Sequence, residues 1–136
     1  MKKLNFDTGV EEYRLQGGGV LRFNPADPNL YARFLEAEAE LKQMESRLSA
    51  KAAQGEDTGA AVIDLLGQAD REIKALLNRV FLGNDFDKAL GGVNLLAMTG
   101  NGERVVTNLF AALEEILTAG AERFADAQVE RLRCGE

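Results

Sequence analysis

The sequence predicts a mainly α, α+β fold, in which an N-terminal β-hairpin precedes a long antiparallel helical hairpin, a short helix and a C-terminal helix. Residues 1–24 alternate between apolar and polar side chains around a run of glycines. Two later segments repeat apolar residues at helical intervals. The 136 residues amount to a single domain, 1–136, with 1–24 as the hairpin element and 28–134 as the helical part.

The predicted hairpin turns at the glycines of residues 17–19, because glycine accepts the positive φ angles that tight turns require. The apolar residues of its two strands are Tyr13, Leu15, Leu21 and Phe23. Leu4 and Phe6 also alternate with polar neighbours, so residues 3–7 are a candidate third strand. A lone hairpin is marginal in water, so we expect its apolar face to pack on the helices or on a second copy of the chain.

The first helix is predicted from Pro28 to about Ala53, with Asp27 as its N-cap. Its apolar positions recur at intervals of 4, 3, 4, 3 and 4 residues, at Leu30, Phe34, Ala37, Leu41, Met44 and Leu48. Tyr31 and Leu35 widen this stripe near its start.

The second helix is predicted to follow a polar loop at 54–57, with Asp57 or Thr58 as its cap, and to end near Gly83. It repeats the same spacing at Val62, Leu66, Ala69, Ile73, Leu76 and Val80. Two long helices joined by a short loop usually pack antiparallel, so we expect the two seams to face each other. The alternative is that the first seam is a coiled-coil surface for a partner.

The remaining third of the chain predicts a short capped helix at 84–90 and a last helix that starts near Glu103. Residues 93–98 are short and apolar, and helix and strand are not distinguished there. Gly120 weakens the last helix, and residues 125–136 are expected to be partly exposed or frayed.

The composition excludes most catalytic and metal-binding chemistry. The chain has no histidine, and its single cysteine, Cys134, lies near the C-terminus, so it predicts no Cys-His nucleophile pair and no histidine- or all-cysteine zinc site. The net charge is −6, which disfavours nucleic-acid binding. No apolar run is long enough to span a bilayer, and we expect a cytoplasmic protein with no membrane partner.

The acidic residues offer only weak candidates for chemistry. Residues 84–87 place two aspartates together, but helix capping explains them better than a calcium loop does. The pairs Glu114 and Glu115, and Asp64 and Asp70, would need a cleft to act as acid and base, so solvated helix faces are favoured. We therefore predict no catalytic residue, no metal ligand, no cofactor and no small-molecule substrate.

The candidate functional residues form an apolar surface for a protein partner or for a second copy of the chain. They are Tyr13, Leu15, Leu21, Phe23, Leu30, Tyr31, Phe34 and Leu35. Each of them is equally a candidate for the core.

Several strings in a fixed order carry a family resemblance. They are residues 5–10, the hairpin exit at 23–28, residues 80–83, residues 91–98 and Asn108-Leu109-Phe110. Over residues 4 to about 118 the chain resembles the tail assembly chaperones of long, non-contractile-tailed phages, which are small prophage-encoded proteins of Gram-positive bacteria. The tail after Gly120 departs from that pattern.

The resemblance implies a non-enzymatic protein that coats the tape measure protein until tail tube protein polymerises around it, and that self-associates. It supplies no catalytic residues. A small virion structural component, such as a tail completion or head-tail connector protein, is the alternative with the same size. An enzyme built on carboxylates alone and a DNA-binding regulator are both disfavoured, the latter because the helices are mixed or acidic.

Overall fold

The computed structural model describes residues 1–54 and 59–135. It contains two strands and four helices, in the predicted order: β1 (Glu11–Arg14), β2 (Val20–Phe23), α1 (Pro28–Gln54), α2 (Gly59–Val80), α3 (Phe86–Ala89) and α4 (Val105–Arg133). The predicted fold class is thereby confirmed. The predicted polar loop and the cap at Asp57 or Thr58 lie outside the described residues, except that Gln54 ends α1.

The sheet consists of a single antiparallel pair. Strands β1 and β2 are in register with Glu11 opposite Phe23 and Arg14 opposite Val20. Gly18, in the connection between them, has a φ of +93°, as the glycine run predicts.

The predicted third strand at residues 3–7 is wrong. Within the described residues the sheet has only two strands, and residues 1–10 are exposed. The Asp7 carboxylate accepts a hydrogen bond from the Gly9 N–H at 2.8 Å, and the Asn24 amide donates to the Thr8 carbonyl at 3.1 Å. These two bonds turn the chain just before β1, so the alternating Leu4 and Phe6 find no strand to pair with.

The hairpin packs on the helices of its own chain. The Phe23 ring meets the Phe81 ring edge to face at a centroid distance of 5.0 Å. The Asn84 side chain accepts from the Arg22 N–H at 2.8 Å and donates to the Arg22 carbonyl at 2.9 Å. One amide therefore pairs with the open edge of β2 as a neighbouring strand would, and it fixes the hairpin to the turn after α2.

The two helical seams pack together as predicted at the end nearest the hairpin. Leu30, Phe34, Ala37 and Leu41 of α1 are buried, as are Ile73, Leu76 and Val80 of α2. Toward the other end, Met44 and Leu48 are only partly buried, and Val62 is exposed. The helical hairpin is therefore closed at one end and open at the other.

An aromatic cluster occupies the centre of the core. Phe34 of α1 stacks on Phe110 of α4 with ring centroids 5.5 Å apart, and it meets Phe81 edge to face at 6.3 Å. Phe86 of α3 lies 5.4 Å from Phe81. Three helices and the turn after α2 thus share one apolar centre.

Short segments close the fold between α2 and α4. Asp85 caps α3 by accepting from the Lys88 N–H, which confirms the capping interpretation. The apolar segment 93–98 is neither helix nor strand, apart from an isolated bridge at Met98. Its Leu95 is fully buried and accepts a hydrogen bond from the Val106 N–H at 2.8 Å, next to the start of α4.

Helix α4 is not interrupted by the glycine that was expected to weaken it. It runs without interruption through Gly120, which is buried against the carbonyl of Pro25. A Cβ at this position would overlap Pro25, so the glycine permits a close approach of backbone to backbone. Of residues 125–136, which were expected to be partly exposed or frayed, residues 125–135 are exposed and remain helical as far as Arg133.

Candidate functional site

The four hairpin residues that were predicted to form a partner surface are either buried in the core or partly buried against it. Leu21 and Phe23 are buried, so in the folded chain they present no surface to a partner. Tyr13 and Leu15 are partly buried against the same core. Tyr13 stacks on Phe23 with ring centroids 4.5 Å apart.

The Tyr13 hydroxyl makes stability sensitive to alkaline pH. Burial, together with its hydrogen bond to Glu11 at 2.7 Å, raises the pKa of Tyr13 to about 12. The pKa of Tyr13 is higher in the folded chain than in the unfolded chain, so the neutral hydroxyl stabilises the fold fully below the ordinary pKa of about 10. This contribution to the free energy of unfolding is lost as the pH rises from about 10 through 12. We expect the stability advantage of the wild type over Tyr13→Phe to shrink steadily in urea unfolding between about pH 10 and pH 12. Parallel pH curves for the two proteins would contradict this account.

The predicted helical surface is divided in the same way. Leu30 and Phe34 belong to the core, and Tyr31 is partly buried against it. Only Leu35 is largely exposed, at 48%. The eight predicted residues therefore do not form one docking surface, because the apolar stripe that suggested it is used for packing within the chain.

A different apolar surface lies at the open end of the helical hairpin. Two adjoining hollows share Glu45, Leu48 and Leu96: one of about 90 Å³ between α1 and α2, and one of about 470 Å³ between α1 and the segment 96–107. We call them together the groove. Its apolar lining comprises Met44, Leu48, Leu65, Ala69, Ile73, Leu96 and Met98.

The outer wall of the groove is held in place by a polar network. Asn108 of α4 donates to the Thr99 hydroxyl at 3.0 Å and accepts from the Asn101 amide at 3.0 Å. Met98 and Arg104 form an isolated β-bridge across this turn. The turn is thereby tied to α4, and it carries the exposed Met98 side chain at the rim of the groove. Sequence analysis missed this wall because its bonds link a loop to the face of a helix.

The rim of the groove carries charges of both signs. The acidic residues are Glu45, Glu72 and Glu103, and the basic residues are Arg47, Lys51 and Arg104. A partly apolar floor between charges of both signs suits the apolar face of an amphipathic helix with charged flanks.

A buried lysine stands apart from the groove and was not foreseen. Lys74 of α2 has a side chain only 5% exposed, and its ammonium group lies 2.9 Å from Asp70 and 2.6 Å from Asp87. Asp70 also accepts from the Leu95 N–H at 2.7 Å. The predicted solvated face is therefore wrong for Asp70, whose side chain is 13% exposed. The i, i+4 spacing of Asp70 and Lys74 could have predicted the ion pair between them from the sequence.

The Lys74 cluster is structural, because each of its members is already satisfied by another. Burial alone would lower the pKa of Lys74, but the hydrogen bonds to Asp87 and Asp70 outweigh it, so the pKa lies above its ordinary value. Lys74 therefore stays charged at neutral pH and joins α2, α3 and the segment 93–98.

Removal of the lysine should leave an unpaired carboxylate in a nearly buried position. We expect Lys74→Met to lower the free energy of unfolding by about 3 kcal/mol in urea titrations. Adding Asp70→Asn should recover much of that loss, because the amide still accepts from Leu95 without carrying a charge. A double variant no more stable than Lys74→Met would show that packing, rather than the uncompensated charge, sets the cost.

The carboxylates that face each other across α1 and α4 lie at the surface. Burial, and then the charge of Glu114, raise the pKa of Glu38 above its ordinary value. Glu114 itself is exposed, and Glu38 is partly buried. Asp64 is exposed and accepts a hydrogen bond from Gln68 at 3.2 Å. Glu38, Glu114 and Asp64 do not line the groove.

Residues 1–54 and 59–135 hold neither a cluster of metal ligands nor a membrane-spanning helix. No group of three or more histidine, cysteine, aspartate or glutamate side chains in this part of the chain is arranged to hold a metal ion. No helix there combines the length and the apolar character that crossing a membrane demands.

Comparisons with protein-family models, with curated proteins and with solved structures give no match to this chain.

Proposed function

We propose that this chain is a non-enzymatic tail assembly chaperone of a phage or prophage, which binds the tape measure protein in the cytoplasm of the bacterial host during tail morphogenesis. The observation that carries the proposal is the groove at the open end of α1 and α2. There the two apolar seams continue beyond the point where they cover each other, so a third helix has a place to pack.

We infer that the segment bound in the groove is helical. Met44 and Leu48, one turn apart on α1, and Leu65 of α2 offer apolar side chains to it. A partner helix would place its own apolar face on this floor and its charged residues near the mixed rim. A long, helical, aggregation-prone protein such as the tape measure protein offers many segments of this kind, and coating them keeps apolar faces out of water.

Met98 provides the test, because it is exposed and its replacement should leave the fold intact. We expect the wild-type chain, co-expressed with the tape measure protein of the same phage, to keep that protein soluble and to be captured with it. Met98→Glu would replace an apolar side chain at the rim of the groove by a charged one, and we expect it to weaken capture by about tenfold.

Leu82 supplies a matched control. It is exposed to nearly the same extent as Met98, at 67% against 66%, but it does not line the groove. Leu82→Glu should therefore capture the tape measure protein as the wild type does. Equal capture by all three proteins, or equal soluble yield of the tape measure protein without this chain, would contradict the proposal. Mass spectrometry of purified tails addresses the alternative, since a chaperone should be absent from them and a virion component should remain.

A further inference from the structure

Helix α4 extends beyond the body of the protein as a free helical segment. We call its residues 121–133 the arm. From residue 122 onward every residue of the arm is exposed, and no ion pair described for residues 1–54 and 59–135 joins the arm to the body. At 1.5 Å per residue the arm is about 20 Å long.

The arm is amphipathic, and residues 1–54 and 59–135 leave much of its apolar face uncovered. At 3.6 residues per turn, Phe124, Val129 and Leu132 fall within an arc of about 140°. These three side chains are 37%, 51% and 77% exposed. All the charged residues of the arm fall on the remaining side: Glu122, Arg123, Asp126, Glu130, Arg131 and Arg133. A helix this short, with one apolar face in water, is stabilised when that face is covered.

The charges at the two ends of the arm are complementary to each other. Glu122 at the start and Arg133 at the end lie on the same flank of the apolar face, about 20° apart around the helix axis. When two copies of the arm pack antiparallel about a two-fold axis, this flank of one copy adjoins the same flank of the other. Glu122 of each copy then lies beside Arg133 of its partner, and both contacts form at once.

The apolar side chains agree with the same register. The pairing of Glu122 with Arg133 places the two-fold axis between residues 127 and 128. Phe124 of one copy then lies within one residue of the level of Leu132 in the other. In the same alignment, Ala125 of one copy lies within one residue of the level of Val129 in the other. The charged pair and the apolar contacts are therefore compatible with the same alignment.

We propose that the arm is a self-association surface, through which two copies of this chain pair as antiparallel helices with Glu122 of each copy against Arg133 of the other. The partner is a second copy of the chain. The inference does not rest on the tape measure protein as a partner, and it uses the part of the chain that lies outside the family resemblance. Two arms of this length bury less than a standard interface, so the dimer is weak and depends on concentration.

Charge reversal tests the register directly. We expect the wild type to dimerise in sedimentation equilibrium at low salt and at concentrations up to about 0.5 mM. Glu122→Arg and Arg133→Glu should each weaken dimerisation by about tenfold, because like charges then meet twice. An equimolar mixture of these two variants should recover the affinity as a heterodimer, since every contact again joins opposite charges. The double variant should recover it alone.

The variants lie on an exposed segment, so circular dichroism should report an unchanged helical fold for all of them. A wild type that stays monomeric over the whole concentration range would overturn the proposal. So would single variants that associate as the wild type does, or a mixture that fails to recover. Loss of tape measure binding with an intact dimer would refute only the proposed function, and the reverse outcome would refute only the arm.

Discussion

Phe34→Asp is expected to leave the chain unfolded at room temperature. The Phe34 side chain of α1 is 1% exposed. It packs between Phe110 of α4 and Phe81, in the turn after α2. Removal of a buried phenylalanine ring costs about 3 to 5 kcal/mol, and an unpaired carboxylate in the same place costs several more. The sum is comparable to the whole stability of an ordinary domain, about 5 to 15 kcal/mol. Far-ultraviolet circular dichroism and urea unfolding measure the loss.

The neighbouring Leu35 is the matched control. It occupies the next position on α1 but is 48% exposed, so Leu35→Asp places its charge in water. We expect its free energy of unfolding to lie within about 1 kcal/mol of the wild type. If both variants were folded, Phe34 would not be the central core residue that the aromatic contacts indicate.

Gly120→Ala is expected to destabilise the protein by about 2 kcal/mol or more, although alanine is the better helix former. The added methyl group would overlap the carbonyl of Pro25, and it would also approach the amide of Ala26. Both obstacles are backbone atoms, so α4 and the turn at Pro25 must move apart. Thermal and urea unfolding of the variant give the cost.

Gly67 provides a control of opposite sign. It also lies inside a helix, α2, but a Cβ there would meet only the end of the Arg71 side chain, at an ordinary contact distance of 3.5 Å. We therefore expect Gly67→Ala to raise the free energy of unfolding by about 0.5 to 1 kcal/mol. A stabilising effect at both glycines would show that the close approach at Gly120 does not exist in solution.

The elements of secondary structure were predictable because their signals are local. The 4, 3, 4 spacing of apolar residues indicated both long helices. The caps at Asp27 and Asp85 and the glycine turn of the hairpin were equally visible, since each depends on residues only a few positions apart. The third strand failed for a related reason. Two alternating residues do not make a strand unless a paired edge is within reach, and Asn24 holds the chain at Thr8 instead.

The candidate site was less predictable than the fold. An apolar stripe indicates that a helix face will be covered, but it does not say whether its own chain or a partner covers it. For Leu30 and Phe34 the chain itself supplies the cover. For Met44 and Leu48 the cover is incomplete, because these two side chains are only partly buried against the core. Apolar residues that occupy equivalent positions in the 4, 3, 4 spacing of α1 therefore differ in burial.

Local patterns in the sequence are enough to predict the hairpin, the order of the helices, the acidic net charge and the lack of histidine chemistry. Which apolar residues form the core, which line the groove and which glycine is needed for packing follow from contacts between distant segments. Periodicity and capping act between near neighbours in the chain, whereas burial depends on residues that are distant in it. The bond between Arg22 and Asn84, which lie 62 positions apart, is of the second kind, and no pattern within either segment specifies it.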